Sequence, residues 1–291
     1  MRRGPLLMVL AGAAFTAMLG FVKVARAELP AAEVIVYRAV LGLPVVWWFA
    51  RRSGLRIEQR GVLAARIGFG FGAMFCYFTA AKGLNVADVS LITKLQPILV
   101  AVIAPLALGS TERGTKKVWL ALAIGFVGCA ILLAPQLDVA FDYGLWAVAA
   151  AVLSAAAHVV LRKLGRVEDP LTIVFWFLVG LVVLSVPASI ISAGGVPSLP
   201  RAGLWPILFG TALSASAGQV LMTYAYKADP APLVAAAAYT APVWAVLLDV
   251  IWFGQIPTRH VLAGGVLITG GGLWLVFHGR EESAPRPQGP H

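Results

Sequence analysis

The stretch VADVSLITKLQPILVAVIAPLAL, residues 86–108, is apolar apart from a few side chains, of which Lys94 and Gln96 lie deepest. A helix needs about 20 predominantly apolar residues to cross the hydrocarbon core of a bilayer, so this stretch predicts a membrane-spanning helix. The whole chain has the same character, because 60% of its 291 residues are hydrophobic and only 12% are charged. A soluble domain carries about 25% charged residues. The sequence therefore predicts an all-α membrane protein.

Ten apolar runs of this kind follow one another, separated by short polar segments. Several separators contain strong turn signals, for example Asp169-Pro170 and Asp229-Pro230. Ten spanning helices use about 200 residues, which leaves room for short loops and for no soluble domain. The predicted spans are residues 5–24, 32–50, 62–81, 86–108, 117–134, 143–161, 171–192, 203–224, 231–253 and 260–278.

The basic residues favour one side of these spans. With the N-terminus inside, fifteen of the 23 lysines and arginines fall in inside loops and termini, and five fall outside. Such a bias marks the cytoplasmic side of a membrane protein. We therefore expect a multi-pass protein of a bacterial-type inner membrane with both termini in the cytoplasm. The polar, proline-rich residues 280–291 are expected to form a disordered cytoplasmic tail.

The two halves of the chain repeat each other. Residues 78–82 (FTAAK) align with residues 223–227 (TYAYK) at a shift of 145, and the same shift places Pro97 on Pro242. We therefore predict two five-helix repeats over residues 1–135 and 136–279. Because five is odd, the second copy enters the membrane from the opposite side. The fold class is thus ten transmembrane helices as two inverted five-helix repeats, an arrangement that recurs in secondary transporters.

This pattern resembles the drug/metabolite transporter superfamily, EamA type. The features that carry the resemblance are the paired Pro97 and Pro242, an early arginine at Arg38, and Glu112 followed by a glycine-containing helix. Gln255 departs from the pattern, since it stands where the family often has a second glutamate. The resemblance implies a metabolite exporter, with the YddG-type amino-acid exporters as the nearest branch. It also implies a central cavity lined by spans three, four, eight and nine.

Lys94 is the foremost candidate for contact with a substrate. An ionisable group inside a membrane costs about 2.5–3.5 kcal/mol or more, so it is a functional candidate by default. Its ammonium could hold the carboxylate of a zwitterionic or anionic metabolite, or it could form a structural ion pair with Asp249. The repeat partner of Lys94 is Tyr239.

The remaining candidates are polar, aromatic or helix-breaking residues within the spans. Pro97 and Pro242 each remove a backbone hydrogen bond and predict a kink that could act as a hinge. Arg38, Asp249 and Glu112 are expected to be structural charges, with Arg38 paired to Glu33 or Asp249. Further substrate-binding candidates are the polar Gln96, Gln219 and His158 and the aromatic Tyr77, Phe78, Trp176, Tyr224, Tyr239 and Trp244.

Several function classes lack their motifs. The chain has no phosphate-binding loop, no histidine or cysteine spacing typical of a metal site, and no arrangement that suggests a nucleophile and its base. We predict a protein that is not an enzyme and needs no cofactor, metal or nucleic acid; its partners are a small-molecule substrate and the lipid bilayer. Amino acids, including aromatic and neutral ones, are the leading substrates; nucleosides, cofactors or drugs are the alternative. Since no carboxylate lies at mid-span, we expect transport without an Asp/Glu proton relay.

Overall fold

The computed structural model describes residues 2–80, 86–133, 141–193, 199–254 and 258–278, and every regular element in these ranges is helical. The predicted tail, residues 280–291, lies outside them. The α-helices are α1 (Arg3–Ala25), α2 (Ala31–Ala50), α3 (Arg60–Ala80), α4 (Val86–Thr93), α5 (Gln96–Leu108), α6 (Lys116–Leu133), α7 (Phe141–Gly165), α8 (Pro170–Ala193), α9 (Trp205–Ala228), α10 (Ala231–Ala237), α11 (Ala241–Phe253) and α12 (Arg259–His278).

The described residues contain eight helical segments that are long and apolar enough to cross a membrane. Helices α3 and α12, of 21 and 20 residues, are not among these eight. The prediction of an all-helical membrane protein is therefore confirmed for the part of the chain that the structure describes. The predicted limits of the runs agree with the helix ends to within a few residues.

Two predicted spans are not continuous helices. The run 86–108 is interrupted at Lys94 and Leu95, between α4 and α5, and the run 231–253 contains a short 3-10 segment, Ala238–Thr240, between α10 and α11. Pro97 and Pro242 follow these interruptions directly, in the first turn of α5 and α11. A proline is tolerated there because the first N–H groups of a helix have no partner within it. The two interruptions lie at equivalent places in the two halves.

Polar contacts between loops define the two ends of the bundle. At the end that holds the start of α1, the Gly4 amide donates to Oδ2 of Asp229 at 2.8 Å. The amides of Glu58 and Gln59 donate to Oε1 of Glu168, both at 2.9 Å. At the opposite end Arg201 pairs with Glu28. We call the first of these the Gly4 end. The second, where α1 ends at Ala25, is the Ala25 end.

Close helix pairs build the bundle, with α1 along α9, α3 along α7, α2 along α8 and α6 along α12. Glycines allow some of these approaches. A Cβ atom on Gly264 would lie 2.6 Å from Cβ of Leu132, and one on Gly128 would lie 2.8 Å from Cγ1 of Ile268. Lipid tails are as apolar as a protein interior, so helices in a membrane are held by such close packing more than by hydrophobic burial.

We expect Gly264→Ala to lower the stability of the protein by roughly 1–3 kcal/mol, because the new methyl group must push α6 and α12 apart. The thermal unfolding midpoint of the detergent-purified protein measures this effect. Gly265→Ala is the matched control, since a Cβ atom there meets nothing within 4 Å. An equal effect of the two substitutions would contradict the packing described.

Candidate functional site

A cavity of about 350 Å³ lies at the centre of the helix bundle, beside the interruption between α4 and α5. Its wall is formed by α1, α2, α3, α7, α8 and α9 as well. The lining residues that carry polar or charged groups are Arg38, Arg66, Tyr77, Thr93, Lys94, Gln96, Ser154, His158 and Gln219.

Three cationic side chains, Arg38, Arg66 and Lys94, line this cavity together. None of the ion pairs found among the described residues involves any of the three. The cavity lining, as described, contains no carboxylate. A charge removed from water is costly unless it is paired. The arrangement is therefore suited to hold an anion.

Arg66 is the most enclosed of the three, with 4% of its surface exposed. Its guanidinium lies 4.3 Å from the centre of the Phe177 ring, and Nη2 is 3.4 Å from Oε1 of Gln219. Its Nε has no hydrogen-bond partner in the described structure. These neutral neighbours orient the side chain and leave its charge uncompensated. Arg66 is not among the predicted site residues, although it lies within a predicted span, as Lys94 does.

Arg38 is held between two sulfur atoms. Its Nη1 lies 3.3 Å from Sδ of Met18 and its Nη2 lies 3.8 Å from Sδ of Met74. Its Nε also has no partner within the described residues. The expected ion pair with Glu33 is not among the ion pairs of the described residues, and Arg38 lines the cavity. The side chain of Asp249, the other expected partner of Arg38 and Lys94, lies outside the described residues.

Lys94 sits in the interruption itself, where the backbone lacks regular helix bonding. The Tyr239 hydroxyl donates to the carbonyl of Lys94 at 2.9 Å. In a bilayer a carbonyl at such a break needs a partner from another segment. Tyr239 is 2% exposed and packs on Gly125 of α6, so it lies between α6 and the interruption that holds Lys94. The two residues that the sequence repeat aligns are thus in direct contact.

Of the predicted polar residues, Gln96, Gln219 and His158 all reach the cavity, as does Tyr77. Nδ1 of His158 lies 2.6 Å from the Ser154 carbonyl, to which it donates, and Nε2 lies 3.3 Å from Sδ of Met222. Nε2 of Gln96 has no hydrogen-bond partner among the residues described. The Gln96 side chain is thus part of the polar wall, although this nitrogen atom itself is buried.

Four predicted aromatic residues do not line this cavity: Tyr239, which lies behind it, and Trp176, Tyr224 and Trp244. Nε1 of Trp176 donates to the Leu55 carbonyl at 2.9 Å, at the Gly4 end. Tyr224 is exposed, and Nε1 of Trp244 donates to the Val9 carbonyl at 3.1 Å, between α1 and α11. Trp176 and Trp244 thus connect neighbouring segments, and Tyr224 faces outward. Each lies on a face of its helix that is turned away from the cavity. The side chain of Phe78 lies outside the described residues.

The cavity continues toward the Ala25 end. An adjoining space of about 490 Å³ shares Arg38, Tyr77 and Lys94 with it and extends along α1 and α2 as far as Arg26 and Val34. Arg26 is exposed at the loop that joins these helices. Over the described residues, the cavity therefore reaches the protein surface at the Ala25 end.

A buried charge cluster closes the Gly4 end. The Glu112 side chain is 1% exposed, and its Oε1 accepts from Nε of Arg162 at 2.8 Å and from Nη2 of Arg166 at 2.7 Å. Its Oε2 accepts from the Ala231 amide at 2.6 Å. Nη1 of Arg162 also donates to the carbonyls of Tyr226 and Lys227. We call these contacts the Glu112 cluster; they join the loop after α5 to the ends of α7, α9 and α10.

The Glu112 cluster also sets the ionisation of its carboxyl. Burial raises the pKa of Glu112, but hydrogen bonds from Arg162, Ala231 and Arg166 lower it more strongly, and the net shift is downward. The expectation that Glu112 is a structural charge agrees with this geometry.

Helices long enough to cross a bilayer, around a polar cavity that is open at one end and closed at the other, define a membrane transport protein. The chain belongs to the EamA-like transporter family, whose model matches residues 2–134 and again residues 143–277. The resemblance found in the sequence is thereby confirmed, and with it the prediction that the chain is not an enzyme.

Known proteins agree with this assignment. The chain is 30% identical over 276 residues to the pseudopaline exporter CntI of Pseudomonas aeruginosa, covering 92% of this chain and 94% of that protein. It is 25% identical over 262 residues to a riboflavin transporter of Brucella anthropi, covering 86% and 89%. A solved crystal structure shares the fold with a TM-score of 0.80 at 22% identity, covering 95% of this chain and 97% of that one.

We expect Glu112→Gln to destabilise the protein by about 3 kcal/mol, because it leaves the largely buried Arg162 and the more exposed Arg166 without their carboxylate. Thermal unfolding of the detergent-purified protein measures the loss. The matched control is Glu28→Gln, which breaks an exposed pair with Arg201 and should change the unfolding midpoint much less, because solvent screens that pair.

The pH dependence gives a second readout of the same carboxylate. Because folding lowers the pKa of Glu112, its contribution is present above the unfolded pKa and is lost as the pH falls through the folded pKa. The wild type should therefore lose more stability on acidification than Glu112→Gln. Parallel pH profiles of the two proteins would contradict the assigned charge state.

Proposed function

We propose that this chain is a secondary transporter that exports a small carboxylate-bearing metabolite, with amino acids as the leading class, by alternating access. The observation that carries the proposal is the convergence of Arg38, Arg66 and Lys94 on one cavity whose described lining contains no carboxylate. Guanidinium groups bind carboxylates in a planar, bidentate geometry, and an ammonium acts as a point charge. Hydrogen-bonding groups beside them, such as Gln96 and Tyr77, would hold the rest of the molecule.

Relatives support a small organic substrate and differ in which one. The Pseudomonas aeruginosa relative is named for pseudopaline and the Brucella anthropi relative for riboflavin. A ring-containing cofactor such as riboflavin, a nucleoside or a drug is therefore the second candidate. It would have to stack on the aromatic side chains of the cavity, Phe15, Tyr77 and Phe177. The three cations favour the carboxylate-bearing class.

We further propose ten membrane crossings in two inverted repeats, divided near residues 135 and 136. Successive loops alternate between the two ends of the bundle, which supports this count. Helix α1 begins at the Gly4 end, and α2, α5, α7 and α9 end there. The loops that contain Glu28 and Arg201 meet at the Ala25 end. The family model matches the chain twice. The hydrogen bond from Tyr239 to Lys94 joins aligned positions, as expected where an internal two-fold axis passes.

In this proposal the Gly4 end faces the cytoplasm, as the distribution of basic residues predicts. The conformation described would then be open to the outside, with the Glu112 cluster closing the inner side. Export requires the reverse state, in which this cluster separates and the Ala25 end closes. The interruptions before Pro97 and Pro242 are suited to act as hinges, because their backbones lack regular helical bonds.

We expect Lys94→Gln and Arg66→Gln each to reduce transport of a carboxylate-bearing substrate at least ten-fold, since one lost charge-assisted hydrogen bond costs about 1.5–3 kcal/mol. A radiolabelled amino-acid panel in proteoliposomes, with and without ion gradients, measures this. Lys163→Gln, an exposed lysine of α7 remote from the cavity, is the matched control. Unchanged transport in Lys94→Gln and Arg66→Gln would remove the cavity from the proposed role, and riboflavin in the same panel tests the second candidate.

A further inference from the structure

We propose that this transporter carries its substrate as an organic anion with at least two net negative charges and without an accompanying cation, so that each turnover exports negative charge and the membrane potential drives export. This inference rests on the proposed function. Among carboxylate-bearing substrates it selects polyanions over amino acids, and it adds the energy source. It follows from the charge of the cavity wall as a whole.

The charged and titratable groups that face the cavity come from several elements. Helix α2 supplies Arg38, α3 supplies Arg66 and Tyr77, the interruption after α4 supplies Lys94, and α7 supplies His158. Over the described residues this wall carries three positive charges and no negative one. A neutral amino acid would bring one carboxylate and one ammonium, and its ammonium would meet like charges. A substrate with two or three carboxylates would match the wall.

Among the described residues, no carboxylate forms an ion pair with any of the three cations. Arg38 and Arg66 each keep an Nε atom without a hydrogen-bond partner in the described structure. Their guanidinium groups lie against sulfur atoms and an aromatic ring, which are neutral. By contrast, the carboxylate of the Glu112 cluster takes bonds from two arginines. The protein thus satisfies cations fully at the closed end and leaves them unsatisfied in the cavity.

The same wall disfavours a coupling cation. A proton that travels with a substrate needs a titratable side chain, such as a carboxylate or a histidine, and a sodium ion needs a set of oxygen ligands. Here a second cation would enter beside Arg66 and Lys94. His158 lies nearby, but its Nδ1 is held by the Ser154 carbonyl and its Nε2 faces the sulfur of Met222. The anion therefore crosses without a compensating charge.

A transported charge gives the membrane potential a defined effect. One elementary charge moved through 100 mV is worth about 2.3 kcal/mol, which corresponds to a concentration ratio of about 50-fold. For a substrate with two negative charges the ratio at equilibrium is the square of this value, about 2,500-fold. A potential that is negative inside thus favours export without any ion gradient bound to the carrier.

The test uses the full-length chain in proteoliposomes whose potential is set by potassium gradients and valinomycin. The probes are radiolabelled citrate, glutamate and leucine, which carry about three, one and zero net negative charges at neutral pH. We expect citrate uptake to rise at least ten-fold when the vesicle interior is made positive, and to be indifferent to an imposed pH or sodium gradient. Leucine should be transported poorly.

Charge variants add a second readout. Arg38→Gln and Arg66→Gln should shift the preference from citrate toward glutamate, because the cavity then carries one positive charge fewer. Arg52→Gln, an exposed arginine after α2, is the matched control and should leave the preference unchanged. Thermal stabilisation of the purified protein by citrate should follow the same order, weaker in the two cavity variants than in Arg52→Gln.

The failures of the two proposals can be told apart. Three outcomes would overturn the inference and leave the proposed function standing. Transport of glutamate or leucine could be independent of the membrane potential, could depend on a proton or sodium gradient, or could require substrate on the opposite side of the membrane. If no probe is transported and citrate does not stabilise the wild-type protein, both are overturned. Stabilisation by citrate that is lost in Arg66→Gln and kept in Arg52→Gln supports the substrate class even without measurable flux.

Discussion

A bilayer offers no water to a polar group, so each charge and each free backbone carbonyl within it must find a partner in the protein or line a wet cavity. This constraint accounts for the central region of the molecule. Arg38, Arg66 and Lys94 are tolerated because they line a cavity that reaches solvent at the Ala25 end. The carbonyl of Lys94, in the break before Pro97, is satisfied by the Tyr239 hydroxyl. The helix interruption places Lys94 at the cavity, and the Tyr239 hydroxyl satisfies the carbonyl that the interruption leaves free.

Arginines lie in two kinds of surroundings in this structure. In the Glu112 cluster, Arg162 and Arg166 share a carboxylate and helix-end carbonyls, which gives a closed and rigid contact between four segments. In the cavity, Arg66 has only an aromatic ring and the amide oxygen of Gln219, at 3.4 Å. The first arrangement suits a closure between helices and the second suits a site whose missing partner is a mobile anion. In the proposed transport cycle an anion binds to the cations of the cavity. Opening of the Gly4 end separates the residues of the Glu112 cluster.

Close packing has to provide the remaining stability. In a soluble protein the hydrophobic effect drives helices together, but in a membrane the lipid competes on equal terms. The approach of α6 to α12 at Gly128 and Gly264, and of α1 to α9 beside Gly218, leaves no room for a methyl group. The outward surfaces of the same helices carry large apolar side chains, for example Leu106 and Ile251, each 82% exposed, as expected of surfaces that contact lipid.

The sequence alone predicted the apolar runs and, to within a few residues, where they end, because about 20 apolar residues bounded by turn residues are stable in a bilayer as a helix. It also placed Lys94 and the two prolines within spans and predicted Glu112 as a structural charge. Only the tertiary structure decided which faces of the helices point to the cavity. It joined Arg66 to Arg38 and Lys94, left Arg38 without the expected Glu33, and directed Trp176, Tyr224 and Trp244 away from the centre. The reason is physical: a helix that is apolar on every side meets either lipid or protein with similar ease, so its sequence does not encode its rotation, and packing against neighbouring helices sets it.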